Sequence, residues 1–237
     1  MKYLLEIKRK RSQQESSFWQ CFQYETEMPN ATVATALTEL NRTVPLKDER
    51  GEECEPIIWE CSCLQKKCGA CAMVINGQPC LACDMVLKEL KTQRIRIEPL
   101  RKFPVIADLM VDRQKMMDNL KELQLWLTED TMAAEKKNDL LYEASRCLQC
   151  GCCLEVCPNF SVDGDFFGMA AMVPASRLLQ EMPASESGAL RKAYGKKIYN
   201  GCGKSLACRN ICPAGLDIDA LMVNSNAVML WKKLFSK

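Results

Sequence analysis

The chain has 237 residues, with Lys plus Arg at 32 against Asp plus Glu at 30 and a formal net charge of +2. That length supports one or two domains with cores of their own, and the near balance of charge argues against nucleic-acid binding or an acidic tail. The 16 cysteines are far above usual, and the absence of histidine excludes histidine-ligated haem, Rieske-type clusters, Ser-His-Asp catalysis and zinc sites that need imidazole.

The start, Met1-Lys-Tyr-Leu-Leu-Glu-Ile-Lys-Arg-Lys-Arg, holds too short and too charged an apolar stretch for a signal peptide. No apolar run approaches the ~20 residues that span a bilayer, so membrane association is expected only through another chain. Without an export signal, the cysteines read as metal ligands rather than disulfides.

Residues 1–105 read as a small β-rich domain. Residues 3–9 and 21–27 are expected strands of a hairpin. Val33, Ala36, Leu37 and Leu40 fall at helical spacing, with Asn30 or Thr32 as the cap. Residues 56–60 and 94–98 read as further strands, and Asn76-Gly77 is a hairpin turn. Inside this domain lies Cys63-Leu-Gln-Lys-Lys-Cys68-Gly-Ala-Cys71, followed by Cys83. This C-x4-C-x2-C…C spacing suits a [2Fe–2S] cluster, and the small Gly69 and Ala70 would let backbone amides approach the sulfurs. Cys61 and Cys80 lie close enough to compete as ligands, but Cys61 would give x6 in place of x4.

From residue 106 the pattern turns helical. Met116, Leu120, Leu123 and Leu127 form one stripe, read as core-facing. Residues 139–146 are expected to form a short helix that delivers the chain to Cys147. Residues 177–182 read as a helix stopped by Pro183, and 184–188 as a flexible loop. Leu190, Tyr194 and Ile198 form a stripe leading into Cys202. Ile218, Leu221, Met222, Ser225 and Met229 mark a last amphipathic helix.

Two cysteine runs organise this second half. Cys147-x2-Cys150-x2-Cys153-x3-Cys157-Pro158 has the spacing that holds cubane clusters in bacterial-type ferredoxins, where the fourth cysteine serves the other cluster. Cys202-x5-Cys208-x3-Cys212-Pro213 echoes it, with Ser205 where a cysteine would stand. Cross-ligation then assigns Cys147, Cys150, Cys153 and Cys212 to a [4Fe–4S] cluster, and Cys157, Cys202 and Cys208 to a second. Lacking a thiolate at Ser205, the second is expected to be [3Fe–4S]; a serine-ligated or open [4Fe–4S] is the alternative. Cys152 reads as a small buried hydrophobe, and Cys21 and Cys54 as free thiols. Gly203-Lys204-Ser205 mimics the end of a P-loop and Gly201-Cys-Gly203 the start of a dinucleotide fingerprint. Both fail at a required glycine, and these glycines read instead as making room for a cluster.

The three cysteine sets in this order resemble the iron–sulfur subunit of succinate dehydrogenase and fumarate reductase. Glu98-Pro-Leu, Phe103-Pro-Val-Ile-Ala-Asp108-Leu and Leu141-Tyr-Glu before Cys147 add to the resemblance, which covers nearly the whole chain. It implies an α+β protein: an N-terminal β-grasp, plant-type [2Fe–2S] ferredoxin domain over 1–105, then an all-α, bacterial-ferredoxin-like domain over 106–237 carrying the [4Fe–4S] and [3Fe–4S] clusters. It implies a subunit without catalytic residues of its own, relaying single electrons between a flavoprotein subunit's FAD and a quinone or menaquinone site. That site would be shared with a membrane-anchor subunit of cytochrome b or quinone-binding type. The location implied is peripheral, on the cytoplasmic face of the inner or plasma membrane.

The sequence departs from the family at the quinone end. Many members carry a tryptophan shortly after the Cys157-Pro158 position and a histidine after the Cys202 position. Here Asn159-Phe160-Ser161-Val162-Asp163 and Gly203 stand instead, leaving Phe160, Ser161 and Lys204 as candidate contacts. A second reading keeps the relay in a thiol-dependent fumarate reductase, a heterodisulfide-reductase-like complex or another flavin dehydrogenase. A third makes the chain a structural zinc protein.

Overall fold

Along β1 (Lys2–Arg9) every second side chain is buried: Tyr3, Leu5, Ile7 and Arg9. This period of two belongs to a strand with one face on a core. A computed structural model describes residues 1–126, 139–182 and 187–235, and the chain divides into two units, Met1–Asp112 and Arg113–Lys237.

In the first unit β1 pairs antiparallel with β2 (Phe18–Glu25), the expected hairpin with its second strand starting earlier. The remaining elements of this unit are α1 (Val33–Arg42), β3 (Leu46–Lys47), β4 (Glu53–Cys54), β5 (Ala72–Ile75), β6 (Gln78–Leu81), β7 (Arg94–Glu98), β8 (Val105–Ala107) and β9 (Met110–Val111). The main sheet runs β2-β1-β7-β5-β6, with β1 and β7 parallel and the other neighbours antiparallel. Leu5 pairs with Ile95 and Ile7 with Ile97 across the parallel seam, and all four are fully buried. Helix α1 buries Val33, Ala34, Ala36, Leu37 and Leu40. This mixed sheet with its helix has the expected β-grasp architecture. Thr32 is the cap: its hydroxyl accepts the Thr35 N–H at 3.1 Å while Thr35 Oγ1 accepts the Thr32 N–H at 3.2 Å. Asn76 and Gly77, at φ of 48° and 83°, make the two-residue turn joining β5 to β6.

One expected strand is absent. Residues 56–60 pair with no neighbouring strand, because side chains take their backbone groups. Asn41 holds Ile57 through both its amide atoms at 2.8 Å, Asp108 Oδ2 accepts the Ile58 N–H at 2.8 Å, and Arg9 donates to the carbonyls of Glu55 and Pro56. Pro56 itself has no N–H to offer a ladder.

The second unit is helical: α2 (Gln114–Glu122), α3 (Asp139–Ser145), α4 (Cys152–Glu155), α5 (Met169–Glu181), α6 (Gly188–Tyr194) and α7 (Ile218–Phe235). A π-helical turn over Gly195–Tyr199 prolongs α6. The expected stripes bury Met116 and Leu123, then Leu190, Tyr194 and Ile198, then Ile218, Leu221 and Ser225. Leu127, Pro183 and most of the expected 184–188 loop lie outside the described residues.

Helix α5 is the centre, packed by α7, α3, α6, α2 and α4. It starts eight residues before the expected 177, because Pro174 in its interior disguises its first half. Proline removes the N–H that residue 170 would receive four positions back, yet Met169, Ala170, Ala171, Met172 and Val173 are buried on all sides. A helix so enclosed is held by packing.

Candidate metal centres

In the first unit the loop from Cys61 to Cys71 turns tightly, with Leu64, Lys66 and Gly69 at φ of 53°, 58° and 76°. This points backbone amides at the sulfurs. The Gln65 and Lys67 N–H groups donate to Cys63 Sγ at 3.3 and 3.4 Å, and the Lys66 N–H donates to Cys83 Sγ at 3.3 Å. These three amides lie beside the small Gly69 and Ala70, and the backbone N–H groups of Cys68 and Cys83 address Cys63 and Cys71 as well. Cys63 lies in hydrogen-bond reach of Cys68, and Cys71 of Cys83. The second arm is anchored from behind: the Ala82 N–H donates to the Cys71 carbonyl at 3.0 Å, and the Ala34 N–H at the start of α1 donates to the Ala82 carbonyl at 3.0 Å. The competitors fare differently. Cys61 is exposed and Cys80 is half-buried on β6, its thiol pushed up to about 12 by burial.

In the second unit Cys147, Cys150, Cys153 and Cys212 line one cavity together with Met169, Val173, Leu216 and Ile218. Its wall is apolar, and α5 and α7 supply it. Cys150 is lowered to about 7, chiefly by the Cys152 thiol beside it, while Cys152 itself is fully buried at the start of α4. Burial pushes Cys147 up to about 11 and raises Cys153 as well. Thiols in such surroundings favour the neutral form until a metal's charge reverses the balance.

The third set is more open. Cys208 feels both Cys157 and Cys202, and burial pushes it up to about 11. Ser205 is exposed, and its Oγ accepts the Ala207 N–H at 3.5 Å within its own loop. The glycines on either side of Cys202 leave room for the side chains of Phe166 and Asn159. A Cβ on Gly201 would stand 2.4 Å from the Phe166 ring, and one on Gly203 would stand 3.0 Å from Asn159 Nδ2. Asn159 Nδ2 donates to the Gly201 carbonyl at 2.6 Å, tying the chain after Cys157 to the chain before Cys202. Of the candidate contacts at this end, Phe160 is buried, while Ser161 and Lys204 are exposed. Lys204 Nζ lies 5.8 Å from the Tyr199 ring centre.

All sixteen cysteines are unpaired thiols. Among the described residues no three His, Cys, Asp or Glu side chains stand close enough together to hold a single metal ion. The donor chemistry fits iron–sulfur clusters: sulfur-only sets, amides aimed at sulfur in the first unit, and an apolar enclosure in the second. Sequence spacing carried no sign of the amide donors at 65–67 or of Asn159. Only the positions of these residues beside cysteines could have drawn attention to them.

Comparison with known proteins adds the following. Residues 4–118 match a family described as a 2Fe-2S iron-sulfur cluster binding domain, and residues 143–216 one described as a 4Fe-4S dicluster domain. The succinate dehydrogenase iron-sulfur subunit of Bacillus subtilis is 37% identical over 201 residues, covering 80% of this chain and 78% of that protein. The fumarate reductase iron-sulfur subunit of Mycobacterium tuberculosis is 31% identical over 168 residues, covering 66% and 67%. A chain of the Mycobacterium smegmatis Sdh1 complex in the apo form shares the fold, with a TM-score of 0.74 over 96% of this chain and 95% of that one at 19% identity.

Proposed function

Because the chain belongs to the family of iron–sulfur subunits of succinate dehydrogenase and fumarate reductase, we propose that it relays single electrons between a flavoprotein subunit's FAD and a quinone site. The observation that carries the reading is the single apolar cavity lined by Cys147, Cys150, Cys153 and Cys212, in a chain whose sequence holds three cysteine sets in this order. When bound, the clusters supply one-electron redox chemistry, which divides the paired electrons of a dicarboxylate–flavin reaction into single steps.

The chain's own residues hold, screen and tune. Cys63, Cys68, Cys71 and Cys83 hold the [2Fe–2S] cluster on the flavoprotein side, with the amides of residues 65–67 stabilising negative charge on Cys63 and Cys83. Cys147, Cys150, Cys153 and Cys212 hold the [4Fe–4S] cluster, and Met169, Val173, Leu216 and Ile218 exclude water from it. Cys157, Cys202 and Cys208 hold a [3Fe–4S] cluster at the quinone end, since Ser205 turns its hydroxyl to its own loop. Ser161 and Lys204 on the surface, and Phe160 in the interior, are the candidate contacts there. Among the described residues no helix is long and apolar enough to cross a membrane. By the family's architecture, the reading places the subunit peripherally on the cytoplasmic face, attached through an anchor subunit.

The test is anaerobic purification of the native complex with identification of its subunits and flavin. A FAD-containing partner and a membrane anchor are expected. A second reading draws on Gly203 and the Asn159 side chain packed against it, which depart from the family's pattern at the acceptor end. A partner that reduces or oxidises a soluble thiol, with no membrane anchor, would establish that reading instead.

A further inference from the structure

Gln149 stands between two ligand cysteines with its backbone at φ 50°, a conformation for which glycine is the easy choice. Its side chain makes use of the position. Nε2 donates to the Ala170 carbonyl at 2.9 Å and to Cys147 Sγ at 3.3 Å. Ala170 is the residue whose carbonyl Pro174 leaves without a helix partner, four residues on. A carbonyl can only accept, so the atom facing it is the amide nitrogen, and that same nitrogen faces the sulfur. The orientation leaves Oε1 buried without a hydrogen-bond partner. Such an orphan is uncommon and calls for an explanation.

We propose that Gln149 raises the reduction potential of the [4Fe–4S] cluster, its carboxamide donating to the Cys147 sulfur from a seat fixed by the Ala170 carbonyl. This rests on the reading of Cys147 as a ligand. On reduction one electron enters and no proton moves: the amide hydrogen stays on Nε2 and faces a more negative sulfur. A donor to sulfur stabilises the reduced form more than the oxidised form, and hydrogen bonds to cluster sulfurs are among the determinants of potential. The Gln149 backbone N–H also donates to Cys147 and survives any substitution, so the side chain's share can be isolated.

The experiment is an EPR-monitored redox titration of the full chain in its native complex, comparing wild type with Gln149→Met and Gln149→Glu. Methionine keeps length and apolar bulk without a donor; glutamate keeps shape but replaces the donor with an anion. The expected result is a [4Fe–4S] couple shifted negative by roughly tenfold in the one-electron equilibrium for Gln149→Met, ~59 mV, and further for Gln149→Glu. The [2Fe–2S] couple, in the other unit, stays unmoved. An unchanged [4Fe–4S] potential in both variants overturns the proposal. If the variants fail to hold the cluster, pulsed EPR on reduced wild-type protein labelled with nitrogen-15 in its glutamine side chains decides it. A resolved coupling supports the bond, and its absence overturns it. A wild-type protein with no [4Fe–4S] signal would instead overturn the ligand reading of Cys147, and this inference with it.

Discussion

Arg9 Nε lies 3.0 Å from Asp108 Oδ1, and both side chains are buried, 3% and 1% exposed. Strand alternation places Arg9 on the core face of β1, so its charge needs a partner there. Asp108 sits at the β8–β9 turn with φ 43° and accepts the N–H groups of Lys10 and Ile58 besides. The contact is ionic, since Nε makes no well-aligned hydrogen bond, while the Arg9 Nη atoms bond Gln20, Glu55 and Pro56. One buried pair thus joins β1, the end of the first unit and the segment that leads to Cys63.

Removing one partner strands the other's charge, which costs about 3–5 kcal/mol at buried sites. Asp108→Ala is expected to lower stability by about that much and Asp108→Asn by less, since asparagine keeps an acceptor oxygen. Denaturant unfolding of the first unit, followed alongside loss of the [2Fe–2S] absorbance, measures it. A loss under about 1 kcal/mol for Asp108→Ala would mean the pair carries little.

The choice among the first unit's cysteines can be tested one at a time. Cys61→Ser and Cys80→Ser are expected to leave the [2Fe–2S] EPR signal unchanged, because the amides of residues 65–67 address Cys63 and Cys83 and Cys61 would break the C-x4-C spacing. Cys63→Ser and Cys83→Ser are expected to abolish or shift it. A signal lost in Cys61→Ser but kept in Cys63→Ser would reverse the assignment.

Asn159 bridges two ligand loops through its 2.6 Å bond to the Gly201 carbonyl. A net hydrogen bond of this kind contributes about 0.5–1.5 kcal/mol. Asn159→Ala is therefore expected to release the third cluster a few-fold to about tenfold faster under a chelator, with the other two clusters unaffected. Gly203→Ala, which would crowd Asn159 Nδ2, should act in the same direction. Equal loss of all clusters would point to general instability rather than to this loop.

Much of the scaffold was readable in the chain before its structure. Thr32, Asn76-Gly77 and the Leu190–Tyr194–Ile198 stripe each announce a local element, because capping, turn chemistry and helical period are local rules. What escaped depends on distant partners. Residues 56–60 look like a strand until Asn41, Arg9 and Asp108 claim their backbone groups. The first half of α5 was hidden by Pro174, a residue that propensity alone assigns to a helix boundary. The thiol sets were visible as spacing. The groups that address their sulfurs, Gln149 and the amides of residues 65–67, were not, since their roles follow from the loop's left-handed turns.

The third site turns on Ser205. Substituting Ser205→Cys supplies the missing thiolate, and the oxidised-state [3Fe–4S] signal is expected to fall as a second [4Fe–4S] signal rises on reduction. Persistence of the three-iron signal at full strength would show that the loop, not the missing sulfur, fixes the cluster type.

The most direct measurement is an anaerobic EPR redox titration of the wild-type complex with its iron and acid-labile sulfide quantified. The expected result is three species: a [3Fe–4S] signal in the oxidised protein, and [2Fe–2S] and [4Fe–4S] signals that appear separately on reduction. A colourless protein with stoichiometric zinc and no signal in either state would contradict the relay.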